Sequence, residues 1–202
     1  MSVIFENTQV FNLLGAMRAM RNPMNSWEYG DSFLLCGEEF IGEKDLALAG
    51  GLIKRGSEHR KFMRQIFVCV NITAPRFWWQ EFDTYKVGTV RNSCSTMHKL
   101  TSRPLRQSDF DVPIPPYWLE HLNDMIEFVR LGETPLHVLK GHLPEGFLQK
   151  ATITMNYENV FTIHSQRRNH RLPHWNRDFA SWVIQLPYYS QLLKWPIGVG
   201  EE

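Results

Sequence analysis

The sequence predicts a mixed α/β fold that is rich in helix. Residues 65–73 alternate between apolar and polar side chains, which is the pattern of a half-buried strand. The segment 150–155, KATITM, has the same character and predicts a second strand. Helical patterns lie before, between and after these two segments. The strands are too few for a repeated βαβ arrangement, so the order of elements favours a mixed class.

Composition limits the classes of function. The 202 residues are 43% hydrophobic and 21% charged, as in an ordinary globular protein, and we expect one domain over 1–202. A net charge of +1 argues against a nucleic-acid module, despite the basic run RRNHR and seven tryptophans. Three cysteines are too few for a disulfide framework, which predicts a cytoplasmic protein. No apolar run is long enough to predict a membrane span.

The N-terminal half predicts three helices around the first strand. Asn7 or Thr8 caps a helix that continues to Arg21. Asp45 caps a second helix, which ends at Gly56. In the strand 65–73, alternate apolar residues share one face: Ile66, Val68, Val70 and Ile72. Pro75 then starts the helix PRFWWQEFDTY.

The C-terminal half is punctuated by proline and glycine. Four prolines in 101–116 predict a surface crossing, and 117–131 form an amphipathic helix that Gly132 ends. Asn156 caps a helix that continues to Arg168. Another helix is predicted over 174–186, and the tail 195–202 is expected to be loosely held.

A basic cluster follows one helix face in the last third of the chain. Four residues share that face at spacings of four, three and four: Asn156, Val160, Ile163 and Arg167. Three more basic groups follow directly: Arg168, His170 and Arg171. Arginines grouped at a helix end suit an anionic ligand, because the guanidinium binds phosphate in a bidentate manner. The same grouping is typical of a solvated basic patch that stabilises a helix C-terminus.

The polar segment NSCSTMHK contains the second candidate site. The turn at Cys94, Ser95 and Thr96 offers backbone N–H donors to a phosphate, and it equally resembles a simple capped turn. Cys94 would be a nucleophile if nearby cations lowered its pKa, although a lone cysteine is more often inert. Five late histidines have no carboxylate or cysteine at metal-ligand spacing, so no metal site is predicted.

Two blocks resemble the flavin-dependent thymidylate synthase family. The first is 59–97, HRKFMRQIFVCVNITAPRFWWQEFDTYKVGTVRNSCSTM, and the second is 143–172, LPEGFLQKATITMNYENVFTIHSQRRNHRL. Together they cover roughly a third of the chain. The family signature R-H-R-x7-S falls on residues that differ from it: Thr84, Tyr85 and Lys86 replace R-H-R, and Cys94 replaces the serine.

The resemblance implies a fold, an assembly and a set of ligands. The fold would be a mostly antiparallel central sheet with flanking helices, and the assembly a homotetramer whose active sites draw on several subunits. By position, six residues would hold FAD: His59, Tyr85, Lys86, Asn92, Asn156 and His170. Five would hold a pyrimidine deoxynucleotide monophosphate: Cys94, Ser95, Thr96, Lys140 and Arg167.

The family reaction needs no protein nucleophile. A one-carbon unit passes from methylenetetrahydrofolate to C5 of dUMP through reduced flavin, and NADPH reduces the flavin. By resemblance, Arg167 would be the catalytic residue that stabilises an enolate-like oxygen on the pyrimidine. Three alternatives remain: another pyrimidine nucleotide as acceptor, hydroxymethylation in place of methylation, and a non-catalytic homologue without flavin. The altered R-H-R favours the last alternative, whereas Arg167 and Asn156 oppose it.

Overall fold

The computed structural model describes residues 3–193. The strands within these residues are β1 (Ile4–Phe11), β2 (Phe33–Leu35), β3 (Glu38–Phe40), β4 (Phe67–Pro75), β5 (Val90–Ser93) and β6 (Leu148–Asn156). Four of them form an antiparallel sheet in the order β1–β4–β6–β5, and β2 and β3 form a separate hairpin. The predicted mixed class with an antiparallel central sheet is confirmed.

The helices pack around this sheet. The α-helices within residues 3–193 are α1 (Leu13–Arg21), α2 (Glu43–Lys54), α3 (Arg76–Phe82), α4 (Thr96–Lys99), α5 (Pro116–Arg130), α6 (Leu136–His142), α7 (Tyr157–Arg167), α8 (Ala180–Val183) and α9 (Tyr189–Leu193). A π-helix, His174–Phe179, runs directly into α8. None of the helices in this part of the chain has both the length and the apolar character that crossing a bilayer needs.

The central strand β4 confirms the alternation in the sequence. Ile66, Val68, Val70 and Ile72 are all 0% exposed. β4 pairs with β6 along its whole length, and Val70 lies opposite Ile153. Buried residues on one face of this pair form the main core, because a strand presents every second side chain to the same side of the sheet.

The helix predicted from Asn7 to Arg21 is wrong in its first part. Residues Ile4–Phe11 form β1, which covers one edge of β4, and the helix begins only at Leu13. Asn7 and Asn12 have φ values of 52° and 67°, in the left-handed region that a right-handed helix cannot accommodate. Pairing with β4 satisfies the backbone N–H and C=O groups of β1. The pattern of apolar residues within the segment does not predict this pairing.

The start of α2 also differs from the prediction. Gly42 occupies the N-cap, and Asp31 accepts hydrogen bonds from the backbone N–H groups of Lys44 and Asp45 at 2.9 and 3.0 Å. Asp45 is instead buried, where its carboxylate accepts a hydrogen bond from Nε of Arg21 at 2.6 Å. A residue 14 positions earlier therefore supplies the cap that local sequence assigned to Asp45.

Two later predictions need correction and two are confirmed. The stretch 101–116 is more than a surface crossing, because it buries Leu105 and Phe110 in a second apolar cluster with α5 and α6. The single helix predicted over 174–186 is a π-helix followed by α8. The helix ended by Gly132 and the Asn156 cap are both confirmed. The tail 195–202 lies outside the described residues.

Candidate functional site

The C-terminus of α7 meets the C-terminus of α3 through Arg167. Its Nη1 donates to Oε2 of Glu81 at 3.0 Å, and its Nε donates to the hydroxyl of Tyr85 at 3.0 Å. The two charged side chains are partly exposed, 19% for Arg167 and 31% for Glu81. Arg167 therefore has a fixed orientation and a balanced charge, and solvent still reaches it.

Glu81 joins several elements through one carboxylate oxygen. Oε2 also accepts a hydrogen bond from the indole Nε1 of Trp175 at 2.6 Å, and Nε2 of His170 lies 3.6 Å from it. The Arg167 guanidinium lies over the Trp175 ring at 5.1 Å from its centre. α3, α7 and the π-helix therefore converge on this carboxylate. We call Glu81, Tyr85, Arg167, His170 and Trp175 the Arg167 cluster.

A cleft of about 630 Å³ lies beside the Arg167 cluster. Tyr85, Lys86, Gly88, Asn156 and Asn159 are among the residues that line it. Its volume is within the range of pockets that hold small molecules and cofactors. Lys86 supplies a cation, the asparagines supply amide groups, and Tyr85 supplies an aromatic ring. We call this space the Tyr85 cleft.

A set of local contacts fixes the wall of the Tyr85 cleft. Asn156 and Asn159 cap the start of α7 reciprocally, each side chain accepting a hydrogen bond from the other's backbone N–H at 3.0 and 3.2 Å. Nδ2 of Asn159 donates to the carbonyl of Val87 at 2.7 Å. Gly88 has φ of 78°, and a β-carbon there would lie 2.8 Å from Oδ1 of Asn159. Only glycine fits this approach without displacing the cap.

The predicted flavin residues divide among four places. Tyr85, Lys86 and Asn156 line the Tyr85 cleft together. His170 lies in the Arg167 cluster, next to that cleft. His59 is exposed in the turn after α2, and Asn92 is exposed on β5 opposite Thr152. One chain thus brings three of the six predicted residues to a single cleft.

The predicted phosphate turn lines a second cleft, of about 420 Å³. Cys94, Ser95 and Thr96 all contribute to it, and we call it the Cys94 cleft. The backbone N–H of Cys94 donates to the carbonyl of Lys150 at 2.8 Å, so the sheet already uses this donor. Phosphate binding here would rely on the other donors of the turn and on nearby cations.

The cations of the Cys94 cleft differ in their partners. Nζ of Lys150 donates to Glu6 at 2.6 Å, and Arg103 donates to both carboxylate oxygens of Asp109. Lys99 is exposed at the cleft and has no ion pair with any residue in 3–193. Sequence reasoning missed Lys99, although it lies three positions after Thr96, one helical turn away.

Lys140 and Arg167 lie away from the lining of the Cys94 cleft. Nζ of Lys140, on α6, is 3.5 Å from the sulfur of Met97, which places it next to the phosphate turn. Arg167 instead contacts Glu81, Tyr85 and Trp175. Within one chain, the residue predicted to contact the pyrimidine therefore lies outside the cleft that the predicted phosphate turn lines.

One ionisable side chain on α7, that of His164, is buried. His164 is 6% exposed, and its Nδ1 lies 3.3 Å from the hydroxyl of Tyr189. Burial lowers the pKa of His164 to about 4, and the positive charge of Arg168 contributes to the shift. His164 is therefore neutral at pH 7.

Residues 3–193 contain no group of three side chains that could hold a metal ion.

The sequence matches no protein-family model and no curated protein. Solved structures do match it. A crystal structure of thymidylate synthase X (ThyX) from Helicobacter pylori with FAD and dUMP has a TM-score of 0.71 to this chain, at 19% identity. The match covers 96% of this chain and 96% of that one. The chain has the ThyX fold.

A further ThyX structure from Helicobacter pylori, complexed with FAD and dUMP, supports the same conclusion. Its TM-score is 0.71 at 19% identity, and the match covers 96% of this chain and 97% of that chain. The resemblance read from two sequence blocks is therefore confirmed at the level of the fold, and the ThyX fold extends over nearly the whole chain. Sequence reasoning missed three residues of the candidate site, Glu81, Lys99 and Trp175, which the structure places by their contacts and by the cleft that Lys99 lines.

Proposed function

We propose that this protein is a flavin-dependent enzyme that transfers a one-carbon unit from methylenetetrahydrofolate to C5 of a pyrimidine deoxynucleotide, as in the conversion of dUMP to dTMP. The observation that carries the proposal is the double role of Tyr85. Tyr85 lines the Tyr85 cleft, and its hydroxyl accepts a hydrogen bond from Arg167. A cofactor in the cleft and a pyrimidine at Arg167 would therefore be neighbours, which is supported by the presence of both FAD and dUMP in a solved structure with this fold.

The residues of the Tyr85 cleft fit FAD by their chemistry. An isoalloxazine or adenine ring stacks on aromatic groups, and a pyrophosphate pairs with cations such as Lys86. The amides of Asn156 and Asn159 are held in place by the α7 cap and supply polar groups at the wall. FAD, when bound, supplies the redox chemistry of the transfer, and the proposed reductant is NADPH. The chain's own contribution is to hold the rings in register and to exclude water.

Arg167 orients and polarises the pyrimidine in this proposal. Electrophilic attack at C5 moves electron density on the ring, and a donor at a carbonyl oxygen stabilises the charge that develops there. Glu81 and Tyr85 hold the guanidinium before the substrate arrives, so binding requires little reorganisation. Because Glu81 balances its charge, Arg167 acts as an oriented hydrogen-bond donor more than as a free cation.

The nucleotide phosphate is assigned to the Cys94 cleft. Ser95 and Thr96 offer polar groups, Lys99 supplies an unpaired cation among the described residues, and Lys140 lies next to the turn. The separation of this cleft from Arg167 favours a site shared between chains. Together with the family resemblance, it leads us to propose a homotetramer, and the three cysteines favour the cytoplasm. Static light scattering tests the assembly, and a monomer at micromolar concentration would contradict it.

A second candidate is a nucleotide-binding homologue without flavin. The observation that favours it is the replacement of R-H-R by Thr84, Tyr85 and Lys86. Hydroxymethylation, or a different pyrimidine acceptor, would use the same Tyr85 cleft and Arg167 cluster.

One experiment separates these functions. The purified protein is denatured, the released small molecules are identified by mass spectrometry, and the protein is assayed with dUMP, methylenetetrahydrofolate, NADPH and FAD. Release of FAD and formation of a C5-alkylated nucleotide would support the enzyme. A released nucleotide with no flavin, and no turnover with added FAD, would favour the non-catalytic homologue.

A further inference from the structure

A buried polar pair anchors the π-helix beside the Arg167 cluster. Nε2 of His174 lies 3.1 Å from Oδ2 of Asp111, and both residues are 7% exposed. Trp175, the next residue of the π-helix, is the member of the cluster whose indole N–H binds Glu81. Two consecutive residues of the π-helix therefore connect it to two different parts of the chain. A π-helix is a rare element that occurs frequently at functional sites.

The contact with Asp111 fixes the ring of His174. Nδ1 of His174 is buried and has no hydrogen-bond partner among residues 3–193, so the ring depends on Nε2 alone. Because an ionised carboxylate oxygen can only accept a hydrogen bond, this contact assigns the ring N–H to Nε2. Without the Asp111 carboxylate, both nitrogens of the ring would be buried and without a partner in this part of the chain.

Asp111 is held in place by its own segment. Its backbone N–H donates to the carbonyl of Gly146 at 2.8 Å. The preceding residue, Phe110, is buried in the second apolar cluster together with residues of α5 and α6. The pair of Asp111 and His174 therefore ties the start of the π-helix to that cluster.

The π-helix contacts one face of α3. Phe77 and Glu81 are four residues apart on α3, so they share this face. The Phe77 ring meets His174 edge-on, with 5.1 Å between ring centres, and Glu81 accepts the indole N–H of Trp175. The Trp175 ring also stacks on Trp78, with 4.6 Å between ring centres. Stacking fixes the plane of the indole but lets the ring slide, so its bond to Glu81 depends on where the π-helix lies along α3.

We propose that Asp111 is a positioning residue for Arg167. Asp111 holds His174 and with it the start of the π-helix. The π-helix places the indole N–H of Trp175 on Oε2 of Glu81, the same oxygen that receives Nη1 of Arg167. Asp111 thus maintains the orientation of the guanidinium without contacting it. This inference rests on the proposed function, in which Arg167 contacts the pyrimidine, and it names a residue outside the site on which that contact depends.

The indole N–H resonances of the ligand-free, full-length protein test the link itself. In Asp111→Ala the Trp175 signal, assigned with Trp175→Phe, should shift or broaden, because its bond to Glu81 is no longer held in one geometry. In Asp111→Asn the signal should stay near its wild-type position, since the amide oxygen still accepts from Nε2 of His174. The signal of Trp27, which donates to Asn22 at 2.7 Å, is the internal control. An unchanged Trp175 signal in Asp111→Ala would overturn the proposal.

Titration with dUMP tests the consequence for the site. An arginine that is no longer held must be ordered on binding, so the affinity should fall by roughly fivefold in Asp111→Ala and by less than about twofold in Asp111→Asn. Leu122→Ala is the control for lost stability, because Leu122 is fully buried on α5 in the same apolar cluster as Phe110. It should keep the wild-type affinity.

The Arg167→Ala background separates positioning from a general loss of stability. There Asp111→Ala should cause no further loss of dUMP affinity, because the group that it positions is absent. A full additional loss in this background, or equal losses in Asp111→Ala and Leu122→Ala, would overturn the proposal.

The two measurements also separate this inference from the proposed function. If the wild-type protein fails to bind dUMP at millimolar concentration, the proposed function is overturned, and with it the role of Asp111 in binding. The Trp175 signal then still decides whether Asp111 positions the π-helix. If Asp111→Ala does not fold, His174→Phe breaks the same bond from the other side and keeps a ring against Phe77. It is expected to change the Trp175 signal and the dUMP affinity in the same way.

Discussion

Nη1 of Arg167 lies 3.0 Å from Oε2 of Glu81, so a carboxylate on α3 holds the cation at the end of α7. The same oxygen accepts the indole N–H of Trp175 from the π-helix. An arginine that contacted solvent alone would sample many rotamers, and ordering it would cost conformational entropy on binding. Here that cost is met during folding, because Glu81 and Tyr85 hold the guanidinium in one orientation before any ligand binds.

Arg167→Ala should weaken nucleotide binding without dissociating the proposed homotetramer. Loss of a charge-assisted contact costs about 1.5–3 kcal/mol, which is roughly one to two decades in affinity. Titration with dCMP and dUMP measures the effect. Arg171→Ala is the matched control, because Arg171 is an exposed arginine in the same basic run and should leave the affinity unchanged. An unchanged affinity in Arg167→Ala would remove Arg167 from the site.

Cys94→Ser should leave binding and turnover nearly unchanged. The backbone N–H of Cys94 is committed to Lys150, and the substitution preserves this bond because it changes only the side chain. The family resemblance also places serine at this position. Steady-state kinetics of the two proteins side by side provide the measurement. Loss of turnover with intact nucleotide binding would mean that the Cys94 thiol acts as a nucleophile, contrary to the proposed mechanism.

Gly88→Ala should lower the affinity of the Tyr85 cleft for FAD, in addition to the loss of stability that alanine causes at a positive φ. Gly88 and Gly132 both have φ of 78°, so alanine at either position costs roughly 1–2 kcal/mol of stability. Only at Gly88 does the new β-carbon meet the Asn159 amide, whereas at Gly132 no described atom lies within 4 Å. Thermal unfolding and FAD titration of the two variants separate these effects. The expected result is a loss of FAD affinity in Gly88→Ala alone, and equal losses in both variants would contradict it.

The stability of the fold should decrease on mild acidification because of His164. Its pKa is about 4 in the folded protein, below the usual value near 6.5 in an unfolded chain, so the unfolded state binds more protons between these values. The contribution of His164 is complete above pH 6.5 and is lost as the pH falls toward 4. Between pH 7 and pH 5 the free energy of unfolding should fall by on the order of 2 kcal/mol from this residue.

Urea unfolding at the two pH values measures this loss. His164→Gln removes the titrating group and should flatten the pH dependence by that amount. His137→Gln, the same substitution at an exposed histidine, is the control. The same slope in wild type and His164→Gln would show that other groups cause the acid sensitivity.

The parts of the fold that depend on local pattern could be predicted from the sequence. The alternation in β4 and the Asn156 cap are encoded by neighbouring residues, and both are found where expected. β1 could not be predicted in this way, because its stability comes from pairing with β4, more than 50 residues later. The same holds for Asp31, whose capping of α2 depends on a contact across a loop.

The candidate site shows the same division. Tyr85, Lys86 and Asn156 were placed by motif position, and the fold brings them to one cleft. Glu81 and Trp175 carry no motif, and their importance follows only from the convergence of α3, α7 and the π-helix. One signal was available in the sequence: Glu81 is a carboxylate four positions before Tyr85, within the helix predicted over PRFWWQEFDTY, and an arginine in a binding site needs such an acceptor nearby.

FAD binding tests the central claim most directly. The full-length protein is titrated with FAD, and binding is followed by the visible absorbance and fluorescence of the flavin. The account predicts saturable binding, weaker than in proteins with an intact R-H-R, and a further loss of roughly tenfold in Lys86→Ala but not in Lys54→Ala, which removes an exposed lysine at the end of α2. No binding at high micromolar FAD, or equal affinities in the two variants, would contradict a flavin site in the Tyr85 cleft.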